Sequence, residues 1–199
     1  MKVVLIGGTS HVGKSTFAKA LAARLGWQSL STDSLARHPG RPWRAEGELP
    51  GLVRDYFAGP YSSRLLDEVT AHYQQIVWPI VEALVRSRIA NAYDGPLVVE
   101  GSAILPGRVA QAALPGDQAI ALWLTAPHAL LTSRMRENSR YTEQSRQDQA
   151  LVDTFLARTL AFDHYVRESA AALELAVADL GSPAAWEERL ALTVANVKG

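Results

Sequence analysis

A chain of 199 residues, 48% hydrophobic, is the size of one ordinary domain and can bury a full core, so no second independent domain is expected. Twenty basic side chains against twenty acidic ones leave no net charge, which argues against bulk attraction to nucleic acid or to an anionic membrane. There is no cysteine, which excludes disulfides and thiolate metal sites, and no apolar run forms a signal-peptide core or a membrane span, so a soluble cytoplasmic protein is expected.

The first apolar run, Val3-Val4-Leu5-Ile6, predicts strand 1 over residues 2–6. It leads into Gly8-Thr9-Ser10-His11-Val12-Gly13-Lys14-Ser15, followed by Thr16, which fits G-x-x-x-x-G-K-[ST], the phosphate-binding P-loop. Glycines let the backbone curl so that successive N–H groups point at phosphate oxygens. The lysine reaches the β- and γ-phosphates, and the Ser15 hydroxyl can ligate Mg²⁺. A helix over 14–25, with Phe17, Ala18, Leu21, Ala22 and Leu25 on one face, adds the positive end of its dipole and stops at Gly26.

A short second strand, Gln28 to Thr32, delivers Asp33 near its carboxyl end, where open α/β sheets place their ligands. The next stretch, Ser34 to Arg44, carries Arg37, His38, Arg41 and Arg44 among two prolines and a glycine. A solvated connection would look similar, but its length and its start after the Asp33 strand favour a binding loop. Residues 50–60 read as further loop around one helical turn.

From Ser62 to Tyr93 apolar residues recur at helical spacing, with Pro79 expected to kink or divide the helix, His72 on its surface and Tyr73 in the core. Leu97-Val98-Val99-Glu100-Gly101 reads as a central parallel strand ending in a carboxylate, where P-loop enzymes carry an acid that orients Mg²⁺, usually through water. A short helix over 108–114 precedes strand 4 at 119–124.

A helix over 127–137 then supplies Arg134 and Arg136, and its sequel supplies Arg140 and Arg146. Four arginines within thirteen residues suggest a mobile cover over phosphates, although a charged helix end would look alike. Sixteen arginines against four lysines in the whole chain reflect codon preference for the most part, so only clustered ones count as candidates. A core-packing helix over 148–171 bears Arg158 as a further phosphate candidate. Leu173 to Val177 reads as strand 5, and Ser182-Pro183 as the cap and first turn of a last helix.

Five strands alternate with helices; a P-loop follows strand 1, an acid strand 2, another acid strand 3, and arginines strand 4. That order, with Gly8–Ser15, Asp33, Glu100 and Arg134, Arg136 and Arg140 at matching places, resembles the nucleoside-monophosphate-kinase-like group of P-loop small-molecule kinases, which includes adenylate, shikimate and gluconate kinases and antibiotic phosphotransferases. Within the group, Ile6-Gly7-Gly8-Thr9-Ser10, Val98-Val99-Glu100-Gly101 and Tyr73-Gln74-Gln75 are most similar to 2-phosphoglycerate-kinase-type proteins.

The resemblance implies a three-layer α/β fold: a five-stranded parallel sheet in the order 2-3-1-4-5, helices on both faces, an acceptor-binding insertion over 34–93 and an arginine-bearing lid over 134–147, all within one domain spanning 1–199. It implies ATP as donor, Mg²⁺ as metal, a small-molecule acceptor, and a monomer or homodimer. His11 stands where these kinases often have glycine, and the Asp-Gly-x-Pro-Arg run of true nucleoside-monophosphate kinases is missing, which argues against a mononucleotide acceptor. Neither an Asn-Lys-x-Asp guanine reader nor a Leu-Ser-Gly-Gly-Gln signature is present.

The expected function is therefore ATP-dependent phosphorylation of a small, anionic, hydroxylated metabolite. Lys14 and residues 8–16 would hold the nucleotide, Ser15 and Glu100 the metal, and Asp33 the acceptor hydroxyl. Arg37, His38, Arg41 and Arg44 would bind the acceptor, and Arg134, Arg136 and Arg140 would close over the transferring group. The alternative is a nucleotide-binding switch or slow ATPase that controls a partner.

Overall fold

The structure, a computed structural model, describes residues 1–35, 42–43, 65–91 and 93–199. Five strands, β1 (Val3–Gly8), β2 (Gln28–Ser31), β3 (Leu97–Glu100), β4 (Ala119–Thr125) and β5 (Val177–Asp179), form one parallel sheet in the order β2-β3-β1-β4-β5. This is the order that the resemblance implied. Ile6 of β1 lies beside Glu100 of β3 and Leu122 of β4, and Ser31 of β2 lies beside Glu100. The register thus brings the carboxyl ends of β1, β2 and β3 to one edge.

All six residues of β1 are buried, as a central strand covered on both faces must be. Because side chains alternate, Val3 and Leu5 join one core and Val4 and Ile6 the other. On the first face pack α2 (Leu65–His72), α3 (Trp78–Ala90), α4 (Pro106–Ala112) and α6 (Arg146–Ala172), through Val69, Val81, Val85, Phe162 and Val166. On the second pack α1 (Lys14–Leu25), α5 (His128–Asn138) and α7 (Pro183–Lys198), through Phe17, Leu21, Leu131 and Leu190. Each such buried side chain contributes about 1.5–3 kcal/mol. A third, smaller core of Met135, Leu151, Val152, Phe155 and Leu156 holds the far end of α5 against the start of α6.

Most elements lie where the sequence puts them. Helix α1 has the expected bounds and is capped by Gly26 in the left-handed conformation. The Ser182 hydroxyl accepts from the Ala185 amide at 3.1 Å to start α7. Two elements differ. Strand β5 begins at Val177 and not at Leu173: α6 runs on to Ala172 and closes through Leu173 and Glu174 (φ +54°), with the Leu175 amide donating to Ala170. The alternation Leu-Glu-Leu-Ala-Val imitates a strand in what is a helix-closing turn. The long helix before β3 is divided as Pro79 demands, but the break precedes the proline. Tyr73–Val77 form a π-helical turn in which the Trp78 amide donates to the Tyr73 carbonyl, five residues back. Arg146 belongs to α6, whose first turn is capped by Ser145. The expected binding loop is described only at Ser34, Leu35, Pro42 and Trp43, so Arg37, His38, Arg41, Arg44 and residues 50–60 lie outside the described residues. Among the described residues no helix is long and apolar enough to cross a membrane.

Gly101, directly after β3, has φ +158°, and a Cβ there would lie 2.7 Å from Thr32 Cβ. Gly101→Ala is expected to push Thr32 and the turn after β2 away from the sheet, at about 1–3 kcal/mol. Thermal unfolding of the variant measures it; an unchanged Tm would contradict the contact.

Candidate active site

The phosphate loop, Gly8–Ser15, which carries the chain from β1 into α1, is shaped by residues with positive φ: Gly8 at +132°, His11 at +62° and Gly13 at +101°. A Cβ on Gly8 would strike the Leu124 carbonyl of β4, so only glycine lets the loop leave the sheet here. Three contacts hold the loop from outside. The Thr9 hydroxyl, 1% exposed, donates to the Thr159 carbonyl of α6 at 2.8 Å, and Ser102 Oγ donates to the Gly8 carbonyl at 3.0 Å. Arg134 Nη1 lies 3.3 Å from the carbonyls of His11 and Val12. Lys14 Nζ donates to the Thr9 carbonyl at 2.7 Å, which curls its cation back over the loop mouth.

Glu100 is 5% exposed and accepts from Ser15 Oγ at 3.0 Å. Among the described residues no lysine or arginine forms an ion pair with it. A carboxylate buried with only a hydroxyl against it is an expensive arrangement that a cation relieves. The residues therefore fit a hard divalent ion, held by one serine and one carboxylate together with a bound phosphate, the usual way Mg²⁺ is taken. No described cluster of three or more His, Cys, Asp or Glu competes for it.

The loop forms one wall of a cavity of about 1000 Å³ at the carboxyl edge of the sheet, lined by Thr9 to Thr16. Asp33 lines the same cavity, from the short turn Thr32–Ser34 after β2. Ser31 Oγ lies 3.4 Å from the Asp33 amide in that turn, and the Asp33 side chain is exposed to the cavity. Part of the wall is apolar, built by Val69, Tyr73 and Phe162, the two rings meeting edge to face at 5.9 Å. Lys14, Ser15, Glu100, Asp33 and Arg134 are thus brought together around one space.

Arg136 and Arg140 are not. They line a separate hollow of about 930 Å³ on the outer side of α5, where the Arg136 guanidinium sits 4.9 Å over the Tyr141 ring and 3.9 Å from Asp153. Residues two apart on a helix point about 200° apart, so Arg134 and Arg136 cannot face one site. Besides Lys14 and Arg134, the main cavity is lined by Arg158 of α6, its guanidinium 4.3 Å over the Phe155 ring.

Tyr73 packs against the first core, as the sequence suggested, but it also lines the cavity, which the sequence did not show; the π-helical turn starts at it. His72 is half-buried, not a surface residue, its ring 6.1 Å from that of Tyr73. Asn138 at the end of α5 and Trp186 of α7 also line the cavity, with Trp186 edge-on to Phe17 at 5.9 Å. Neither carries a motif that would single it out.

No protein-family model matches the chain. It is 29% identical over 113 residues to the 2-phosphoglycerate kinase of Methanothermobacter thermautotrophicus, a match covering 53% of this chain and 36% of that protein. It is 28% identical over 147 residues to the shikimate kinase of Nitratidesulfovibrio vulgaris, covering 72% of this chain and 67% of that one. The chain thus spans about a third of the length of the first relative and two thirds of the second. In fold, it matches a gluconokinase from Sinorhizobium meliloti with a TM-score of 0.56 at 18% identity, covering 99% of this chain and 91% of that one. It matches the shikimate kinase of Bacteroides thetaiotaomicron at 0.51 and 13%, covering 100% and 99%. Sheet order, phosphate loop and sequence likeness agree: the chain resembles the P-loop small-molecule kinases.

Proposed function

We propose that the protein is a kinase that transfers the γ-phosphoryl group of ATP to a hydroxyl of a small, anionic metabolite. The observation that carries this reading is a single cavity lined both by the phosphate loop and by an exposed carboxylate, Asp33. The loop amides and Lys14 hold the β- and γ-phosphates. Ser15 and Glu100 would hold Mg²⁺, which when bound neutralises charge on the phosphates. Asp33 orients the acceptor hydroxyl and takes its proton, while Arg134 and Arg158 offset the charge spread over the transferring oxygens.

An anionic acceptor is supported by Arg158 and by the basic residues Arg37, His38, Arg41 and Arg44 of the stretch after β2. Arg136 and Arg140 act in this reading only from outside the cavity. The lid is the arm formed by the end of α5, the turn Tyr141–Glu143 and the start of α6.

The test is ADP release from Mg·ATP with a panel that includes 2-phosphoglycerate, shikimate and gluconate, the compounds for which the relatives are named, each bearing a carboxylate. ADP formation that depends on one acceptor, and falls about 10²-fold in Asp33→Ala, is the expected result. Release indifferent to every acceptor would sink the kinase reading and favour a slow ATPase or switch.

A further inference from the structure

His11 is the one non-glycine residue of the phosphate loop with a left-handed backbone, φ +62°. Glycine would hold that conformation without cost, so the side chain has to be accounted for. Its ring is fully engaged. Nδ1 lies 3.0 Å from Ser10 Oγ, Nε2 lies 3.4 Å from Asn138 Oδ1, and the ring packs 5.6 Å from Trp43 and 6.4 Å from Phe155. Trp43 in turn meets Phe155 edge to face at 5.1 Å and donates from Nε1 to the same Asn138 oxygen at 3.2 Å.

The donors fix the arrangement. An indole N–H can only donate, so the Asn138 atom facing it is the amide oxygen. His11 Nε2 faces that oxygen too and donates to it, while Nδ1 on the other side of the ring meets Ser10 Oγ. One amide oxygen therefore receives a hydrogen bond from the phosphate loop and another from Trp43, which belongs to the stretch between β2 and α2. Trp43 does not line the cavity, whereas His11 and Asn138 do. Trp43 packs instead against the small core of Phe155 and Met135 behind them.

We propose that Trp43, Asn138 and His11 are positioning residues that couple the acceptor side of the cavity to the phosphate loop: Trp43 holds Asn138, Asn138 holds the His11 ring, and the ring sets the loop backbone. This deepens the kinase reading and rests on it in one respect, namely that the stretch containing Trp43 serves the acceptor. Seating or displacing Trp43 then changes how well the loop amides hold phosphate, with no contact between Trp43 and nucleotide.

The experiment is a double-mutant cycle read by calorimetric titration with Mg·ADP. Trp43→Phe keeps an aromatic ring against Phe155 and removes only the indole donor; His11→Gly keeps the loop geometry and removes the ring. Each is expected to weaken Mg·ADP binding about fivefold or more, and the double variant no further than His11→Gly alone. Tm is expected to stay within a few degrees of wild type in both. Wild-type affinity in Trp43→Phe, or losses that multiply in the double variant, would overturn the coupling. If the wild-type protein fails to bind Mg·ADP, the kinase reading fails, and amide hydrogen exchange of the unliganded protein decides the coupling: faster exchange at residues 9–15 in Trp43→Phe upholds it, and unchanged exchange overturns it.

Discussion

Lys14→Ala is expected to leave a folded protein that no longer holds nucleotide, with ADP formation lowered about 10³-fold. The lysine is half-buried at the first turn of α1 and donates to the Thr9 carbonyl at 2.7 Å. Truncation of this half-buried side chain is expected to lower stability by about 1 kcal/mol, a few degrees in Tm for a chain of this size. The loss at the site is far larger. In a cavity walled by Val69, Tyr73 and Phe162, a fixed cation beside the loop amides acts in a medium less screening than water. Lys14→Arg is expected to fail almost as badly, because a planar fork does not replace a compact ammonium in a loop this tight. Calorimetric titration with Mg·ATP beside a melting curve checks both. Unchanged binding in Lys14→Ala would remove the phosphate loop from the functional reading.

What the sequence could tell was what is local. The β1–loop–α1 unit depends on neighbours in the chain: an apolar run, a fixed spacing of glycines, a helix face repeating every three or four residues. All of it appears in place. Likewise Asp33 and Glu100 needed only the rule that ligands gather at strand carboxyl ends, and the sheet order then brought them together. The arginines after β4 show the limit. As a cluster they read as one cover, yet the 200° between Arg134 and Arg136 sends one to the loop and the other to Tyr141 and Asp153. Helical geometry could have separated them had it been applied residue by residue. Other features could not be read so. The Thr9–Thr159 bond joins residues 150 apart, and Trp43 and Asn138 meet across 95. Tyr73 packs against the first core as expected but also reaches the cavity wall, at the start of a π-helical turn that helical periodicity cannot register.

The largest expected loss of stability lies where α6 meets the ends of β4 and β5, in Arg167→Ala. Asp163 on α6 has a side chain with no exposure at all, and its Oδ2 accepts from Arg167 Nε at 2.7 Å. Among the described residues its Oδ1 has no hydrogen-bond partner, and the only other cationic candidate nearby is the His128 ring at 3.7 Å. Arg167 Nη2 also donates to the Ala126 carbonyl at 3.0 Å, just past β4, and reaches Asp179 of β5 at 3.4 Å. One guanidinium thus pins α6 to the ends of two strands, next to the point where α5 begins. Its removal strands a buried carboxylate, at about 3–5 kcal/mol near neutral pH, or about 6–20 °C in Tm for a chain of this size. The deficit should depend on pH. Burial pushes the Asp163 carboxyl above the ordinary carboxylate range, and Arg167 is the chief opposing influence. A carboxyl raised in the folded state holds its proton longer there than in the unfolded chain, so its contribution to stability falls as pH rises from the ordinary carboxyl range through the raised value. Without Arg167 that value climbs further and the window widens upward. Arg167→Ala should therefore lie closest to wild type in acid and furthest from it near pH 8, whereas Asp163→Asn, which removes the charge and keeps the shape, should cost less and show no such widening. Melting curves between about pH 5 and pH 8 separate these outcomes, and a loss in Arg167→Ala that is small and flat across the range would mean that Asp163 is already protonated in the native protein.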